Sequence, residues 1–425
     1  MKTEWIKSPR LGESYVSAVH PSGLKIYIYP KKGFHSTYAI FGADYGSIHT
    51  TFKSSLLDEI IEVPAGIAHY LEHKLFESED GDAFARYAKT GANANAYTSF
   101  DMTGYLFSCP ENFEESLAIL LDFVQSPYFT EQTVQKEQGI IGQEIKMYDD
   151  DPDWRVMFNL LQAMYHNHPV KIDIAGSIES IAEITAEKLY QCYETYYNLN
   201  NMALCIAGDV DPEKVLEFVN AALKDSKKVE VESIFPHEPL EVVKQRVEQK
   251  FEIATPMFQL GFKEAADQNR LSVEALAQTE ILLDVMASQF SPMYQELLDK
   301  ALINTASFGY QYFEGPGYAS VIFSGESKDP DAVAAIIRKE AERLHKEGIA
   351  PELFELAKKS VYGRNIAALN STDNIANILL RFAFAKREIF SFIDYVASVT
   401  LDDVTERLKK QLHPEFSALS IVSPK

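Results

Sequence analysis

The predicted secondary-structure elements occur in the same coarse order on either side of a charged stretch, residues 224–239. Before this stretch, strand-like runs and amphipathic helices alternate, and the same elements recur after it. The stretch contains Pro236 and Pro239 and has no helical stripe, so we predict a linker there. Two halves with one element order predict a duplicated α+β unit.

The length of 425 residues exceeds what one ordinary hydrophobic core contains, which also predicts two domains. We expect residues 1–225 to form the first domain and residues 240–425 a structurally similar second domain without a metal motif. Each half is predicted to be an α/β sandwich, in which helices cover a mostly antiparallel sheet.

The balance of charge restricts the classes of partner. The chain has 40 Lys and Arg residues against 62 Asp and Glu residues, a net charge of −22. Proteins that bind nucleic acid need a basic surface, so we expect no nucleic-acid partner. An acidic chain suits a basic peptide partner, although solubility alone is the simpler explanation of the charge.

The cysteine pattern and the apolar runs indicate the compartment. The three cysteines, Cys109, Cys192 and Cys205, are odd in number and widely spaced, which predicts buried free thiols rather than disulfides. The N-terminal residues lack the apolar core of a signal peptide, and no apolar run is long enough to span a membrane. We therefore expect a cytoplasmic protein with no membrane span.

The strongest chemical pattern is the run His69-Tyr70-Leu71-Glu72-His73, within a predicted helix over residues 64–76. Two histidines four residues apart project from one face of a helix and can supply two ligands to zinc. Glu72 leans toward the same face and can take a proton from a water molecule activated by the metal. The alternative is a helix that carries two solvated histidines and a glutamate.

A catalytic zinc ion requires a third protein ligand, and Glu144 is the best candidate. Glu137 lies seven residues earlier, so the two carboxylates share a helix face, and one could bind zinc while the other holds a histidine N–H. Glu77 is a weaker candidate. His166 and His168 are more typical of surface or hydrogen-bonding roles, and an ordinary solvated carboxylate pair stays open for Glu137 and Glu144.

At these residues the chain resembles the pitrilysin/insulinase family of inverzincin peptidases. The matching segments are residues 66–76, 95–98 and 137–144, and motifs cover about residues 15–220, with element order alone beyond them. The details are similar to the small two-domain bacterial branch, and closest to its YmfH-like members.

The resemblance implies one Zn²⁺ ion per chain, bound by His69, His73 and Glu144, with Glu72 as general base and Glu137 behind the ligands. Through these residues it implies a zinc-dependent endopeptidase that hydrolyses peptides or unfolded segments.

It also implies that peptide substrate adds as a strand beside the edge strand that holds Asn95, Ala96, Tyr97 and Thr98. Backbone hydrogen bonds in this mode give affinity without demanding a particular sequence. Taken by itself, the segment is more typical of a plain strand with a tyrosine in the core.

One departure from the family concerns the second half. Relatives carry an arginine and, seven residues on, a tyrosine that orient the substrate carbonyl, but the expected arginine position here is Leu298. Tyr310 can stand in the tyrosine position only after an insertion. Two-domain relatives pair into a chamber, so we expect a dimer, including a heterodimer with a related chain that supplies the Arg–Tyr pair.

Two other functions compete with a general endopeptidase. The first is a non-catalytic structural or binding subunit of a peptidase heterodimer, a class usually marked by decay of the zinc motif, which is intact here. The second is a dedicated factor that processes one precursor peptide. The sequence does not distinguish the latter from general peptide turnover.

Overall fold

Many of the longer strands are rich in β-branched and aromatic residues. A computed structural model describes residues 1–79, 81–266 and 268–425, and only the backbone of Leu57 and Asp58. The strands, in chain order, are β1 (Lys2–Ser8), β2 (Glu13–Val19), β3 (Lys25–Pro30), β4 (Thr37–Ala43), β5 (Thr51–Ser54), β6 (Leu57–Glu62), β7 (Glu77–Ser78), β8 (Gly81–Asp82), β9 (Asn93–Thr98), β10 (Thr103–Cys109), β11 (Met202–Gly208), β12 (Val231–Ser233), β13 (Arg246–Phe251), β14 (Met257–Glu264), β15 (Gly309–Gly315), β16 (Tyr318–Glu326) and β17 (Ser417–Pro424).

Many of the helices begin at residues whose side chains satisfy the first backbone N–H groups. Asp151, Ser272 and Asp329, for example, each accept a hydrogen bond from a backbone N–H in the first turn that follows. The helices are α1 (Ile67–Leu75), α2 (Ala83–Thr90), α3 (Phe113–Val124), α4 (Glu131–Asp149), α5 (Pro152–Met164), α6 (Ile178–Ile181), α7 (Ala186–Tyr196), α8 (Pro212–Ala222), α9 (Val273–Ala287), α10 (Pro292–Asp299), α11 (Pro330–Glu347), α12 (Pro351–Ala368), α13 (Thr372–Phe384), α14 (Ile389–Ser398) and α15 (Leu401–Leu408).

Contacts between the described residues divide the chain into two units, and neither unit is continuous in sequence. The domains at residues 1–225 and 240–425 stay a prediction. The two units are groups of residues in contact, and they do not show which parts of the chain fold independently. Unit 1 comprises Met1–Ile145, Asp173–Ile234 and Ala367–Phe390, and unit 2 comprises Lys146–Ile172, Phe235–Ile366 and Ser391–Lys425.

Unit 1 is built on a seven-stranded sheet in the order β1-β2-β3-β11-β4-β10-β9. Strands β3 and β11 run parallel, and the other neighbours are antiparallel. The central strand β11 is buried along its whole length, as its run of apolar side chains requires. A smaller sheet, in the order β12-β5-β6, also belongs to this unit.

Unit 2 is built on a five-stranded sheet in the order β13-β17-β14-β16-β15. Here β13 and β17 run parallel and the other neighbours are antiparallel. The pattern repeats the order and directions of β3-β11-β4-β10-β9 in unit 1. The predicted fold class, two similar halves with mostly antiparallel sheets covered by helices, is therefore confirmed.

Each unit contains one helix from the other half of the sequence. Helix α13 packs on β4 and β11 in unit 1, and α5 packs on β14 and β17 in unit 2. Both helices approach the sheet at a glycine. A Cβ atom at Gly42 would lie 2.7 Å from Cδ2 of Leu380, and one at Gly261 would lie 2.3 Å from Sδ of Met164. The missing side chains thus allow the close packing.

Two local features differ from the sequence-based expectations. The strand-like run over residues 93–109 is not one strand but a hairpin, because β9 and β10 pair antiparallel around residues 99–102. The predicted linker contains strand β12, which pairs with β5. In the part of the chain that the structure describes, no helix combines the length and apolarity that crossing a membrane would need.

Candidate metal centre

The histidine-bearing helix α1 begins at a tightly packed turn. Gly66 has φ of +89°, and a Cβ atom there would lie 2.4 Å from the carbonyl oxygen of Ala175, so only glycine fits. Ser180 Oγ donates a hydrogen bond of 2.8 Å to the carbonyl oxygen of Ala65. These contacts fix the position of the first turn of α1.

The body of α1 is buried on most sides, which fixes its rotation about its axis. Ile67, Leu71 and Leu75 are buried among other apolar residues. The hydroxyl of Tyr70 donates to the carbonyl oxygen of Val134 in α4, which links the two helices. Through these contacts the faces of α1 and α4 that carry the predicted ligands come together.

The structure brings the three predicted ligands to one point. Nε2 of His73 lies 3.3 Å from Oε2 of Glu144, and Nε2 of His69 lies 3.6 Å from Oε1 of the same carboxylate. One ligand atom from each of the three residues lies within 4.8 Å of the others. His69 is 7% exposed, and Nε2 is the ring nitrogen that lies close to Glu144, whereas its buried Nδ1 has no hydrogen-bond partner among the described residues.

These separations fit a tetrahedral zinc site. Zinc binds histidine nitrogen at about 2.0–2.1 Å, and two ligands of a tetrahedral ion at that distance lie about 3.3 Å apart. The two measured nitrogen–oxygen distances are 3.3 and 3.6 Å. Three ligands of this kind leave a fourth position for water or substrate, which is the composition of a catalytic rather than a structural site.

Glu137 holds the far side of His73. Its Oε1 lies 3.0 Å from Nδ1 of His73, which directs Nε2 of the ring toward Glu144. Burial alone lowers the pKa of His73, but hydrogen bonds with Glu137 and Glu144 and the charge of Glu72 outweigh it and raise the pKa to about 10. Burial has the opposite effect on Glu137 and raises its pKa, but the hydrogen bond with His73 and the charge of that ring produce a net lowering.

Glu72 is close to the ligands but is held by a different group. It is 9% exposed, and its Oε2 accepts a hydrogen bond of 2.7 Å from Oγ1 of Thr98 in β9. A carboxylate fixed in this way beside the ligand set can exchange protons without occupying the metal. Thr98, predicted as a substrate residue, thus also contacts the predicted base.

The weaker ligand candidates lie elsewhere. Glu77 forms an ion pair with Lys74, whose side chain is fully buried. His168 is buried in unit 2, where its Nε2 lies 2.9 Å from the carbonyl oxygen of Pro316. The group of possible metal ligands found among the described residues does not include Glu77, His166 or His168.

The segment predicted to bind substrate forms β9, an edge strand of the seven-stranded sheet. Strand β9 pairs with β10 along one side, and it contacts α1. Asn95 is exposed, while Ala96, Tyr97 and Thr98 are half-buried. The hydroxyl of Tyr97 donates to Oδ1 of Asn377 at 3.1 Å, so this side chain is committed to packing in unit 1.

The structure also describes Leu298 and Tyr310, the two positions of the second half that the family resemblance compares with an arginine and a tyrosine. Leu298 lies on α10 and is 41% exposed. Tyr310 lies on β15, and its hydroxyl donates a 2.9 Å hydrogen bond to Oδ1 of the buried Asp284. Arg364 also contacts Asp284, with both terminal nitrogens.

Two sets of contacts were not predicted from the sequence. They are the contacts of Asp284 with Tyr310 and Arg364, and the hydrogen bond between Thr98 and Glu72. The contact of β9 with α1 depends on tertiary packing and leaves no local pattern. Arg364 could have been found from the internal duplication, because α12 begins at Pro351, 220 positions after α4 begins at Glu131. Residue 364 therefore occupies the place in α12 that residue 144 has in α4.

Comparison with known proteins gives matches over the whole chain. Residues 62–177 match the family description "Insulinase (Peptidase family M16)", and residues 183–361 match "Peptidase M16 inactive domain". The chain is 41% identical over 429 residues to the uncharacterized zinc protease YmfH of Bacillus subtilis, and this match covers 99% of each chain. It is 25% identical to the zinc protease YmxG of the same organism, over 84% of this chain and 88% of that protein.

Solved structures agree in fold. An M16-like peptidase from Alicyclobacillus acidocaldarius superposes with a TM-score of 0.93 and 34% identity, over 99% of this chain and 100% of that one. A protease from Helicobacter pylori superposes with a TM-score of 0.81 and 19% identity, over 97% and 100%. At that identity the second match concerns the fold alone.

Proposed function

The chain belongs to the M16 (insulinase) family of zinc peptidases, and we propose on that premise that it is an endopeptidase that hydrolyses peptides or unfolded segments. The observation that carries the proposal is the convergence of His69, His73 and Glu144. Decay of that set would favour the alternative, a non-catalytic subunit, and the proposal of an enzyme is supported by the presence of His69, His73 and Glu144 together with Glu72 in the sequence.

His69, His73 and Glu144 would hold one zinc ion per chain. When bound, zinc supplies Lewis acidity that polarises a peptide carbonyl and makes a water molecule more acidic. Glu137 orients His73 through Nδ1, as carboxylates behind ligating histidines do.

Glu72 acts as the general base and then as the general acid. Its carboxylate takes the proton of the attacking water and returns it to the leaving amine nitrogen of the cleaved peptide. The hydrogen bond from Thr98 fixes one carboxylate oxygen, so the other oxygen is the one positioned to move the proton. Burial of Glu72 keeps bulk water from competing at this step.

Peptide substrate is proposed to add to the edge of β9, with Asn95, Ala96, Tyr97 and Thr98 along the pairing strand. An edge strand offers unpaired backbone groups, which recognise any extended peptide. Because the last residue of the strand, Thr98, contacts Glu72, a peptide paired with β9 would pass close to the proposed base. This geometry suits unfolded segments rather than folded proteins.

We further propose a dimer in which a related chain contributes an arginine and a tyrosine. The support is Leu298, an exposed leucine at the position where the family resemblance places the arginine. The mass of the natively purified complex distinguishes a heterodimer from a homodimer. A homodimer of this chain alone with full activity would refute the heterodimer.

The cytoplasm is the proposed compartment. Cys109, Cys192 and Cys205 are all buried free thiols, which is typical of a reducing environment. Proteolysis there is compatible with general peptide turnover and with processing of one precursor.

The proposed function is tested with Glu72→Gln, which replaces the base by a neutral amide of the same shape. The variant should keep its zinc and lose hydrolysis of an unstructured peptide by about 10²–10⁴-fold. Zinc is measured by elemental analysis and cleavage by mass spectrometry. If the variant cleaves as fast as the parent, Glu72 is not the base.

A further inference from the structure

Strand β9 is fixed within unit 1 by side-chain bonds on both of its faces. Successive side chains of a strand point to opposite faces of the sheet, so Tyr97 and Thr98 point in opposite directions. On one face, Oγ1 of Thr98 donates to Oε2 of Glu72 in α1 at 2.7 Å. On the other, the hydroxyl of Tyr97 donates to Oδ1 of Asn377 in α13 at 3.1 Å. The end of β9 beside the proposed base is therefore held from two directions.

The ring of Tyr97 reaches α13 across a glycine. Tyr97 pairs with Gly104 of β10, and Gly104 pairs in turn with Gly42 of β4. A Cβ atom at Gly104 would lie 3.2 Å from Cζ of Tyr97, and one at Gly42 would lie 2.7 Å from Cδ2 of Leu380 in α13. Residues directly opposite on neighbouring strands share a face of the sheet. The two glycines thus leave room on one face for the tyrosine ring and for the helix.

Asn377 is itself held in a single orientation. Its Nδ2 donates to the hydroxyl of Tyr38 on β4 at 3.1 Å, and to the carbonyl oxygen of Asp373, one turn earlier in α13, at 2.9 Å. Because the amide nitrogen makes these two bonds, the acceptor oxygen is the atom that meets Tyr97. An acceptor that its neighbours hold in place keeps the hydroxyl, and with it β9, in one position.

Unit 2 carries different residues at the corresponding strand positions. Strand β15 corresponds to β9 and contacts α9 as β9 contacts α1. Gly261, on which α5 packs, pairs with Ile322 of β16, and Ile322 pairs with Gln311 of β15. A buried isoleucine thus takes the place of Gly104. An exposed glutamine takes the place of Tyr97.

The helix position differs in the same way. Helix α13 spans Thr372–Phe384, and α5 spans Pro152–Met164, 220 positions earlier at both ends. The residue of α5 that corresponds to Asn377 is Met157, whose thioether is only a weak acceptor. The shared scaffold therefore forms without an amide on the helix and a tyrosine on the edge strand. The pair belongs to the half that carries the predicted metal ligands, which favours a role at that site.

We propose that Asn377 is a positioning residue for peptide substrate, because through Tyr97 it holds β9 where an added peptide passes the proposed base. The inference rests on the proposed function, since β9 is the strand proposed to take substrate. A strand that is ordered in advance loses less freedom when a peptide pairs with it. The contribution of Asn377 should therefore appear in substrate affinity, and not in zinc content or in proton transfer at Glu72.

The test compares the kinetics of the parent with those of Asn377→Leu, which removes both polar atoms at similar volume. For an unstructured peptide, KM should rise about five- to tenfold, while kcat changes less than about twofold and zinc content is unchanged. Tyr97→Phe removes the same bond from the other side and keeps the ring, so it should raise KM by a similar factor. Combining the two should raise KM no further, because both remove one interaction.

The matched control is Asn159→Leu on α5 of unit 2. Asn159 also bonds to two side chains, since Arg155 donates to its Oδ1 at 3.2 Å and its Nδ2 donates to Oε1 of Gln249 at 2.8 Å. The control should lower the unfolding temperature as Asn377→Leu does and leave KM unchanged. Loss of a merely structural contact reduces the folded fraction, and hence the apparent kcat, but not the KM of the enzyme that stays folded.

An unchanged KM in Asn377→Leu or in Tyr97→Phe overturns the inference, and so does an equal rise of KM in Asn159→Leu. If Asn377→Leu does not fold, Tyr97→Phe decides alone, because its ring keeps the packing on Gly104.

Affinity for the same peptide, fluorescently labelled and measured by anisotropy in a Glu72→Gln background, separates this inference from the proposed function. Asn377→Leu should weaken this binding by the factor seen in KM. A chain that binds peptide more weakly after Asn377→Leu, but whose parent never cleaves it, would refute the peptidase and support the inference. A chain that cleaves peptide, with affinity and KM unaffected by Asn377→Leu, would refute the inference alone.

Discussion

The two units share a scaffold but differ in the chemistry at one corresponding place. In unit 1, α1, α4 and β9 bring together His69, His73, Glu144 and Glu72, all able to serve a metal or a proton. In unit 2, the corresponding helices and strand bring together an ion pair and a tyrosine. A duplicated fold can therefore keep its packing while a handful of side chains decides which copy is reactive.

The contrast is sharpest at two pairs of positions on the corresponding helices α4 and α12. Glu144 faces two histidines, whereas residue 364 is an arginine that faces an aspartate. Glu137 supports a histidine, whereas residue 357, again 220 positions later, is a buried alanine. The differences predict that metal chemistry is confined to unit 1.

The largest effect is expected for His69→Ala. Two remaining ligands cannot hold a catalytic zinc ion, so the variant should lose zinc and lose activity by about a thousandfold or more. His413→Ala removes a histidine of unit 2 whose Nε2 lies 3.0 Å from the carbonyl oxygen of Lys409, and the variant should keep zinc and activity. Elemental analysis and peptide cleavage check both. A variant of His69 that keeps zinc would break the contrast between the units.

A smaller loss is expected for Glu137→Gln. The amide still reaches His73 but no longer carries the charge that strengthens the ligand, so zinc affinity should fall about 10–100-fold. Competition with a chromophoric chelator measures this affinity. Lys136→Gln, an adjacent change on α4, serves as the control. Unchanged zinc affinity in Glu137→Gln would show that Glu137 does not support the site.

Zinc affinity should rise with pH, about tenfold per unit between pH 6 and 8. The raised pKa of His73, about 10, means that the metal-free protein holds a proton on this ring throughout that range, and zinc must displace it. The raised pKa also affects the stability of the metal-free protein. Protonated His73 stabilises the folded state below the ordinary histidine pKa, and this stabilisation is lost as the pH rises toward 10. Chelator competition at several pH values checks the first effect, and pH-independent affinity contradicts it.

The smallest effect is expected for Thr98→Val, which removes the hydroxyl at Glu72 and keeps the shape of the side chain. Loss of one hydrogen bond to a charged group should lower kcat about tenfold and leave the zinc content unchanged. Thr90→Val, in α2 of the same unit, provides a control that lies away from the ligands. If kcat is unchanged in Thr98→Val, the hydroxyl does not position the base.

Much of unit 1 could be predicted from sequence, and the reasons are specific. The four-residue spacing of His69 and His73 predicts one helix face, and the seven-residue spacing of Glu137 and Glu144 predicts another. Their convergence needs only two helices in contact. The exchange of α5 and α13 could not be predicted, because local periodicity shows that a helix has an apolar face but not which sheet covers it. The fixed position of Glu72 depends on Thr98, 26 residues away in another element.

The most direct test of the metal centre is anomalous diffraction from crystals of the zinc-loaded protein, recorded on both sides of the zinc absorption edge. The account predicts one strong peak per chain, within about 2.3 Å of Nε2 of His69, Nε2 of His73 and a carboxylate oxygen of Glu144. No peak is expected beside Asp284 and Arg364. A peak that lies away from the two histidines, or zinc bound by them without Glu144, would contradict it.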